Sequence, residues 1–475
     1  MVFRKITDRI YLAVFALVII VAVWGAWDHA VSLANFHPAV VALGILSCAA
    51  GGAILAYGLY ILQKRIEKSS DPETVFRRTM IGGLIFILVA QIVLIYICDV
   101  DKLHDLSYIE TAAKNLVTQG SAHLHEGLPE HHRSYFYVYP NNHTLLVMVS
   151  GLYKLEMLLF GEIKGILPIF VNTLGLDLSF VITCLCAKLL YGSQKAAVCC
   201  IRAVLFTPLI SYAVIYYTDT MAMPWLTGAV YLWLRQRNEQ GKKRFILLAL
   251  SALLLSVGFR IKSTPIIFAA AAVIDSVITV RPIKKLAAQL GIFLAVFAAG
   301  AMLISFVCTQ VLDLDKDELE AKRFPPVHWV MMSADGNGGY NPEDFYYTKS
   351  FTGYEAKANA DMKRLDHKLH EQGAMGIAEH FAFKLSYSWR DGAFMIGHYM
   401  KGFLKSRVWY SIAFITWYAL MFFTLQRFFI ACKNEEAAKG SFVLRLTLMG
   451  LTLFLLIWEA RIRYLISFMC LFALI

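Results

Sequence analysis

The chain has 475 residues, of which 58% are hydrophobic and only 17% are charged. Soluble domains are roughly a quarter charged, so this composition excludes an ordinary soluble protein. The formal net charge of +11 does not indicate nucleic-acid binding, because the basic residues cluster in short segments between apolar runs. The nine cysteines lie in or beside those runs, a pattern that implies neither a disulfide framework nor a zinc site.

Long apolar runs recur along the chain, and each is close to the roughly 20 residues that a bilayer-spanning helix needs. No small-residue cleavage site follows the first run, so it predicts a span and not a signal peptide. The sequence therefore predicts an all-α polytopic membrane protein with about twelve transmembrane helices. The predicted spans are 11–28, 39–63, 79–98, 165–187, 195–216, 221–234, 245–259, 264–280, 286–311, 406–426, 441–458 and 464–475.

The distribution of lysine and arginine predicts the orientation of these spans. With a cytoplasmic N-terminus, nearly every short basic cluster falls in a cytoplasmic loop, as the positive-inside rule requires. The clusters are Arg4/Lys5/Arg9, 64–78, 188–195, 235–244, 281–285 and 432–440. We therefore expect a multi-pass protein of the cell membrane. The run 464–475 is short for a span, so either the span itself is short or the chain is truncated there.

One further apolar segment, residues 143–162, is left out of this count. Lys154 and Glu156 would lie near the middle of such a span, where two charges are costly. Counting the segment would also move every later basic cluster to the outer side. We therefore predict an amphipathic helix on the outer membrane surface.

Two long external loops follow from this topology, at 99–164 and 312–405. The second contains a Gly/Asn-rich turn and a helical pattern, and we expect it to form a small module that caps the outer face. The resulting divisions are a two-span segment 1–78, a transmembrane core 79–311, the module 312–405 and C-terminal spans 406–475.

The stretch SYFYVYPNNHT, residues 134–144, lies in the first external loop just before the surface helix. The structural interpretation is an interfacial aromatic belt followed by a helix cap from Asn142 or Thr144. The functional interpretation is a pocket wall, in which Tyr139, Asn141 and Asn142 bind the hydroxyl groups of a sugar.

Three aspartates follow the third predicted span: Asp99, Asp101 and Asp105. They are either a solvated loop start or candidates for a catalytic base, and their spacing does not choose among them. Asp99 and Asp101 also form a DxD pattern, which leaves a divalent metal as an open alternative. The histidines at 123, 125, 131 and 132 predict a loop with pH-dependent charge more than a metal site.

Further charged residues lie at the predicted outer ends of other spans. They are Asp219, Arg260, Lys262, Glu459, Arg461 and Arg463. Arginine side chains beside apolar segments either extend to lipid headgroups, pair with a carboxylate such as Glu459, or bind an anionic ligand. A basic pair on the outer side goes against the positive-inside rule, and the arginine fork suits phosphate oxygens.

The segments HDLSYIETAAKNL, YPNN, YTDT, IKST, PPVHWVMM, GGYNPED and WEARIRYL occur in this order along the chain. Through them the chain resembles the GT-C superfamily of polytopic glycosyltransferases, and more narrowly the glycosyltransferase-39-like membrane proteins of Gram-positive bacteria. The resemblance extends over nearly the whole chain from about residue 79. It implies a GT-C-like bundle, a polyprenyl-phosphate sugar as donor and an active site on the extracytoplasmic side.

The resemblance also implies residue roles. An Asp before a paired Ala is typical of the base in the first external loop, and Asp105 before Ala112 and Ala113 fits that pattern, with Asp99 and Asp101 as alternates. WEARIRYL would supply Arg461 and Arg463 to the donor phosphate.

The expected reaction is inverting transfer of a sugar from undecaprenyl phosphate to a cell-envelope acceptor, such as a cell-wall polymer in teichoic acid glycosylation or a glycolipid. Lys262 and Arg260 would assist at the phosphate, while the pocket would be formed by Tyr139, Asn141, Asn142, Asp219, His328 and Glu459. The alternatives are a transporter or flippase of lipid-linked saccharides, and a glycan ligase or polymerase. Transporters tend to show repeats and midplane charges, whereas the charges here gather at span ends.

Overall fold

The structure is a computed structural model that describes residues 2–33, 38–66, 68–100, 105–120, 130–434 and 439–475. Within these ranges the regular structure is helical, and the β-type pairing amounts to one isolated bridge between Val100 and Met400. The predicted all-α polytopic class is thereby confirmed.

The N-terminal part of the chain forms three long apolar helices. The third begins where an Asp71 carboxylate oxygen accepts a hydrogen bond from the Thr74 backbone N–H at 3.1 Å. Pro72 follows at its first position, where a missing N–H costs nothing. Large apolar side chains such as Phe86 and Ile92 are exposed along it, as expected of a surface that faces lipid. The helices are α1 (Val2–Leu33), α2 (Pro38–Ile66) and α3 (Pro72–Ile97).

Three helices follow, together with a short 3-10 turn at Pro140–Asn142. They are α4 (Asp105–Gln119), α5 (Glu130–Val138) and α6 (His143–Phe160). The first begins directly at Asp105, and α6 packs along it. This packing brings the polar residues before α6 close to the start of α4.

Glu156, buried in α6, caps the helix that follows. Its carboxylate accepts hydrogen bonds from the backbone N–H groups of Lys164 and Gly165 at 2.7 Å and of Leu167 at 2.6 Å. A carboxylate at a helix N-terminus is well satisfied, so Glu156 is not an argument against a span. The segment Pro140–Phe160 is long and apolar enough to cross a membrane, and its placement on the outer surface stays a prediction.

The central helices are α7 (Ile166–Val204), α8 (Pro208–Ser211), α9 (Thr218–Gln236), α10 (Gly241–Ile261), α11 (Ile266–Thr279) and α12 (Ile283–Leu312). The sequence predicts two spans separated by a loop at 188–195, and within that range α7 consists of two helical segments that meet at a kink at Gly192. Gly192 has φ 75° and ψ 170°, a conformation that is accessible to a glycine. The central α9 is enclosed by neighbours, chiefly α7 and α10.

The predicted module between residues 312 and 405 contains four helices: α13 (Lys316–Lys322), α14 (Pro326–Met332), α15 (Pro342–Lys349) and α16 (Tyr354–Trp389). Asp344 of α15 is fully buried. Its carboxylate pairs with Lys368 and with Arg364, each at 2.7 Å. A buried carboxylate with two cationic partners fixes α15 against α16.

The C-terminal helices are α17 (Arg407–Lys433), α18 (Phe442–Ile457) and α19 (Met469–Leu474), with a 3-10 helix at Ile462–Phe468. Arg445 of α18 pairs with Asp8 of α1 through two nitrogens, at 2.7 and 3.1 Å. The side chains of α19 are buried, and the helix packs against α7. The run predicted as a twelfth span is therefore a short buried element in the bundle.

Within the described ranges, nine helices are long and apolar enough to cross a membrane, against about twelve spans predicted. Four predicted spans have no such helix of their own. The runs 264–280 and 464–475 correspond to Ile266–Thr279 and Ile462–Leu474, which are too short, 195–216 shares the range Ile166–Val204 with 165–187, and 221–234 lies in α9, which is not among the nine. Pro140–Phe160, predicted as a surface helix, is added to the count. The nine are Phe3–Ala26, Leu43–Ile66, Pro72–Ile97, Pro140–Phe160, Ile166–Val204, Gly241–Ile261, Ile283–Leu312, Arg407–Lys433 and Lys439–Ile457.

Candidate active site

Asp105, the first residue of α4, lies beside two tyrosines from other parts of the chain. The Tyr217 hydroxyl donates a hydrogen bond to its carboxylate, and the Tyr135 phenol lies close enough for the carboxylate to raise the Tyr135 pKa, which burial already raises. The Asn142 side-chain amide in turn donates to the Tyr135 hydroxyl at 2.5 Å. The sequence suggested that Asn142 caps α6, but its side chain makes no such hydrogen bond. It bonds the tyrosine beside Asp105 instead.

A second group of charges lies on the other side of Tyr217. Asp219, fully buried at the start of α9, is 3.2 Å from the Lys262 ammonium and 3.7 Å from Nε of Arg463. The Arg463 guanidinium lies over the Tyr217 ring, 4.0 Å from its centroid, and donates a hydrogen bond to the Tyr399 hydroxyl at 2.8 Å. Tyr217 thus connects the Asp105 carboxylate to the cations.

The WEARIRY segment supplies a third pair. Arg461 donates to Glu459 at 2.8 Å, and the Tyr464 hydroxyl donates to the other Glu459 oxygen at 2.7 Å. The Lys262 ammonium lies 4.2 Å from the centroid of the Tyr464 ring. Glu459 is nearly buried, whereas a quarter of the Arg461 side chain is exposed. Arg461 is therefore the more solvent-accessible of the two arginines.

Tyr139 lies between the two ends of this site. Burial raises its pKa, and the neighbouring Tyr340, Asp105 and Glu459 raise it further. The charge of Arg461 acts in the opposite direction. Tyr139 is therefore a neutral phenol within electrostatic range of both carboxylates.

Aromatic side chains surround Tyr139. Its ring centroid is 5.7 Å from that of Trp329 and 6.4 Å from that of Phe345. Trp329 is in turn 6.4 Å from Trp458, which precedes Glu459. These four rings are partly exposed, and partly exposed aromatic faces beside carboxylates suit the apolar faces and hydroxyl groups of a sugar.

The predicted module is bound directly to the WEAR segment. The backbone N–H of Ala460 donates to the Gly338 carbonyl at 2.7 Å, and the Ser333 hydroxyl donates to the Ile457 carbonyl at 2.9 Å. Buried Lys384 donates to the Ser333 hydroxyl at 3.0 Å. Gly338 has a φ of 68°, and a Cβ there would lie 2.7 Å from the Lys384 side chain, so this turn requires glycine.

Of the three predicted acids, the structure brings Asp105 to the cations. Asp99 is exposed, and its backbone carbonyl accepts a hydrogen bond from the Lys401 N–H at 3.1 Å. Asp101 lies outside the described residues, as do His123 and His125. In the part of the chain that is described, no group of three metal-ligating side chains lies close enough to hold an ion.

Three other predicted residues do not join this site. Arg260 donates to Ser305 of α12 at 3.2 Å, away from the Asp219 group. His328 lies inside the module, where its Nδ1 shares a hydrogen bond with Thr348 at 2.7 Å and burial lowers its pKa to about 3. Asn141 is exposed, and its side-chain amide donates to the Asn142 side-chain oxygen at 3.3 Å.

Sequence reasoning missed Tyr135, Tyr217 and Tyr399, which together surround Asp105 and Arg463. Tyr135 lies in the quoted SYFYVYPNN stretch, and Tyr217 lies two residues before Asp219. Tyrosine is common at membrane interfaces, so neither position is distinctive without the tertiary contacts.

Comparison with known proteins adds one family. A family model described as "Conserved hypothetical integral membrane protein" matches residues 3–475. No curated protein and no solved structure matches the chain. The match extends over nearly the whole chain and agrees with its membrane character.

Proposed function

The chain belongs to the family of conserved hypothetical integral membrane proteins, and we propose that it is a GT-C-type glycosyltransferase. The donor is a polyprenyl-phosphate sugar, and the acceptor is a hydroxyl of a cell-envelope polymer or glycolipid on the extracytoplasmic face. The main support for this proposal is the arrangement around Tyr217. Its hydroxyl bonds the Asp105 carboxylate, and the Arg463 guanidinium lies over its ring.

The proposed base is Asp105. A carboxylate has about four lone-pair sites, so the bond from Tyr217 leaves room for an acceptor hydroxyl. Tyr217 holds the carboxylate at a fixed orientation, which a general base needs. The acceptor oxygen attacks the anomeric carbon of the donor, its proton passes to Asp105, and the configuration at that carbon inverts.

The leaving phosphate is assigned to Arg461, Arg463 and Lys262. These three cations are paired with two carboxylates, Asp219 and Glu459, so one positive charge in this part of the site is uncompensated. A phosphate that gains negative charge as the glycosidic bond breaks is stabilised by such pre-oriented cations. The partly exposed Arg461 is the first cation that an incoming donor meets.

The test is sugar transfer in proteoliposomes, with labelled polyprenyl-phosphate donors supplied only on the external side. We expect Asp105→Asn to reduce turnover at least about a hundredfold, because an amide cannot accept the proton. Asp99→Asn is the matched control, since Asp99 is exposed nearby, and it should retain activity. Undiminished turnover in Asp105→Asn would remove that residue from the role of base.

The same assay distinguishes the competing functions. Donor that crosses the bilayer without forming a glycosylated product would identify a flippase. A product that grows by repeated addition of lipid-linked glycans would identify a ligase or polymerase. Mass analysis of the product with a panel of donors also identifies the sugar.

A further inference from the structure

A cavity of about 460 Å³ lies at the opposite ends of α9 and α10 from the candidate active site. It is formed where α9 ends, α10 begins, α11 ends and α12 begins, with the start of α1 beside them. The basic side chains that line it come from four of the basic clusters that were predicted to lie in the cytoplasm. These side chains are Arg4, Arg237, Arg244, Arg281, Lys285 and Lys439. Within the described residues, the one acidic side chain that lines it is Asp275.

Several buried polar atoms at this cavity have no hydrogen-bond partner. Arg4 is 8% exposed and its Nε is unbonded, and the same holds for Trp233 Nε1 in a fully buried side chain. Nε of Arg244 is also unbonded. Buried donors are almost always paired in folded proteins, so three of them around one cavity indicate a missing acceptor.

The internal contacts do not neutralise the cavity. Arg237 pairs with one oxygen of Asp275 and donates to the Gly440 carbonyl at 2.8 Å. Arg244 bonds the neutral amide oxygen of Gln289. Asp275 keeps its second oxygen, Oδ1, buried and unbonded. Gln236 Oε1, which also lies at the cavity, is likewise buried and unbonded. The site therefore offers several cationic donors and two unbonded acceptors, of which Asp275 Oδ1 is the charged one.

We propose that this cavity binds a phosphate group whose carrier also bears a hydroxyl. The arginine side chains take the phosphate oxygens, because guanidinium forks match that geometry, and Asp275 Oδ1 accepts the hydroxyl. An anionic lipid headgroup such as phosphatidylglycerol, entering from the leaflet at this end of the bundle, has this chemistry, and so does a soluble phosphate ester. Residues 435–438 beside Lys439 lie outside the described chain, and no part of the site is placed on them.

General attraction of basic residues to the membrane surface does not explain the cavity. Such attraction needs side chains that reach headgroups or water, as the exposed Lys5 and Lys242 do. Arg4, next to Lys5 in sequence, is instead buried in the cavity wall. A comparison of Arg4 with Lys5 therefore distinguishes binding at a specific site from general attraction to a charged surface.

The experiment measures thermal unfolding of the full-length protein in a zwitterionic detergent. Short-chain phosphatidylglycerol, short-chain phosphatidylcholine and inorganic phosphate are titrated separately, and each apparent Kd is taken from the dependence of Tm on concentration. Arg4→Gln is compared with Lys5→Gln, and Arg244→Gln with Lys242→Gln. The second pair supplies the comparison if Arg4→Gln does not fold.

We expect saturable stabilisation by phosphatidylglycerol in the wild type and in both lysine variants. Loss of one charge-assisted contact should raise the Kd about tenfold or more in the arginine variants. Saturation by inorganic phosphate with the same dependence on arginine would support the site with a soluble ligand. Equal responses within each pair, or equal stabilisation by phosphatidylcholine, would overturn the proposal.

Discussion

Asp219 offers the clearest test of the energetics of the candidate site. It is fully buried and faces two cations, Lys262 at 3.2 Å and Arg463 at 3.7 Å. At an effective dielectric constant of about 20, the two attractions are worth about 5 and about 4.5 kcal/mol before desolvation is subtracted. Asp219→Asn keeps the shape of the side chain but leaves both cations without a carboxylate. We expect a net loss of about 3–5 kcal/mol in the free energy of unfolding.

The assay is thermal unfolding in detergent, followed with a dye that fluoresces on reaction with thiols. Buried cysteines such as Cys184 and Cys199 become reactive only when the bundle opens. An unfolding entropy of about 2 cal/mol/K per residue gives roughly 1 kcal/mol/K for 475 residues. The expected fall in Tm is therefore at least about 3–5 °C.

A matched control separates burial from simple charge removal. Glu73 pairs with Lys188 at 2.6 Å, but the two side chains are 60% and 39% exposed. Glu73→Gln should therefore cost no more than about 1 kcal/mol. The double variant Asp219→Asn/Lys262→Met removes one stranded cation and should recover part of the loss. Equal Tm values for Asp219→Asn and Glu73→Gln would refute the reasoning.

Three further outcomes are expected. Tyr217→Phe keeps the ring under the guanidinium but loses the bond to Asp105, so turnover in proteoliposomes should fall roughly tenfold to a hundredfold with little change in the donor KM. Burial lowers the pKa of Lys384 to about 7. The folded protein therefore binds fewer protons than the unfolded chain between about pH 7 and 10, so Tm should rise with pH in that window. This rise should be absent in Lys384→Met. In a cysteine-free background, Lys154→Cys should react with an impermeant maleimide from outside intact cells and Lys242→Cys only after permeabilisation, whereas labelling of both from one side would contradict the proposed topology.

The helical architecture followed from the sequence because long apolar runs have few alternatives in a bilayer. Local hydropathy indicated a break at 188–195 but not its form, a kink at the single residue Gly192, since polar side chains at a membrane surface are compatible with both a loop and a helix. It also could not reveal that Glu156 caps the following helix, because the residues that it bonds lie across a turn. These hydrogen bonds lower the free-energy cost of burying the Glu156 carboxylate.

Two pairs of basic residues, each close together in the sequence, bind different partners in the structure, which their spacing does not predict. Arg260 lies in the last turn of α10 and faces Ser305, whereas Lys262 is extended, with φ −144° and ψ 132°, and reaches Asp219. The helix end between them turns the two side chains in different directions. Arg461 and Arg463 separate in the same way, toward Glu459 and Asp219.

The sequence by itself determined the membrane character of the chain and the polar residues that end its apolar helices, because both depend on composition and local pattern. The tertiary structure decided which of these residues meet. Asp105, Tyr217 and Arg463 are more than a hundred residues apart, and their contact depends on how α4, α9 and the C-terminal segment pack. No local sequence pattern encodes which of these residues come into contact, since the contacts are set by side-chain packing throughout the bundle.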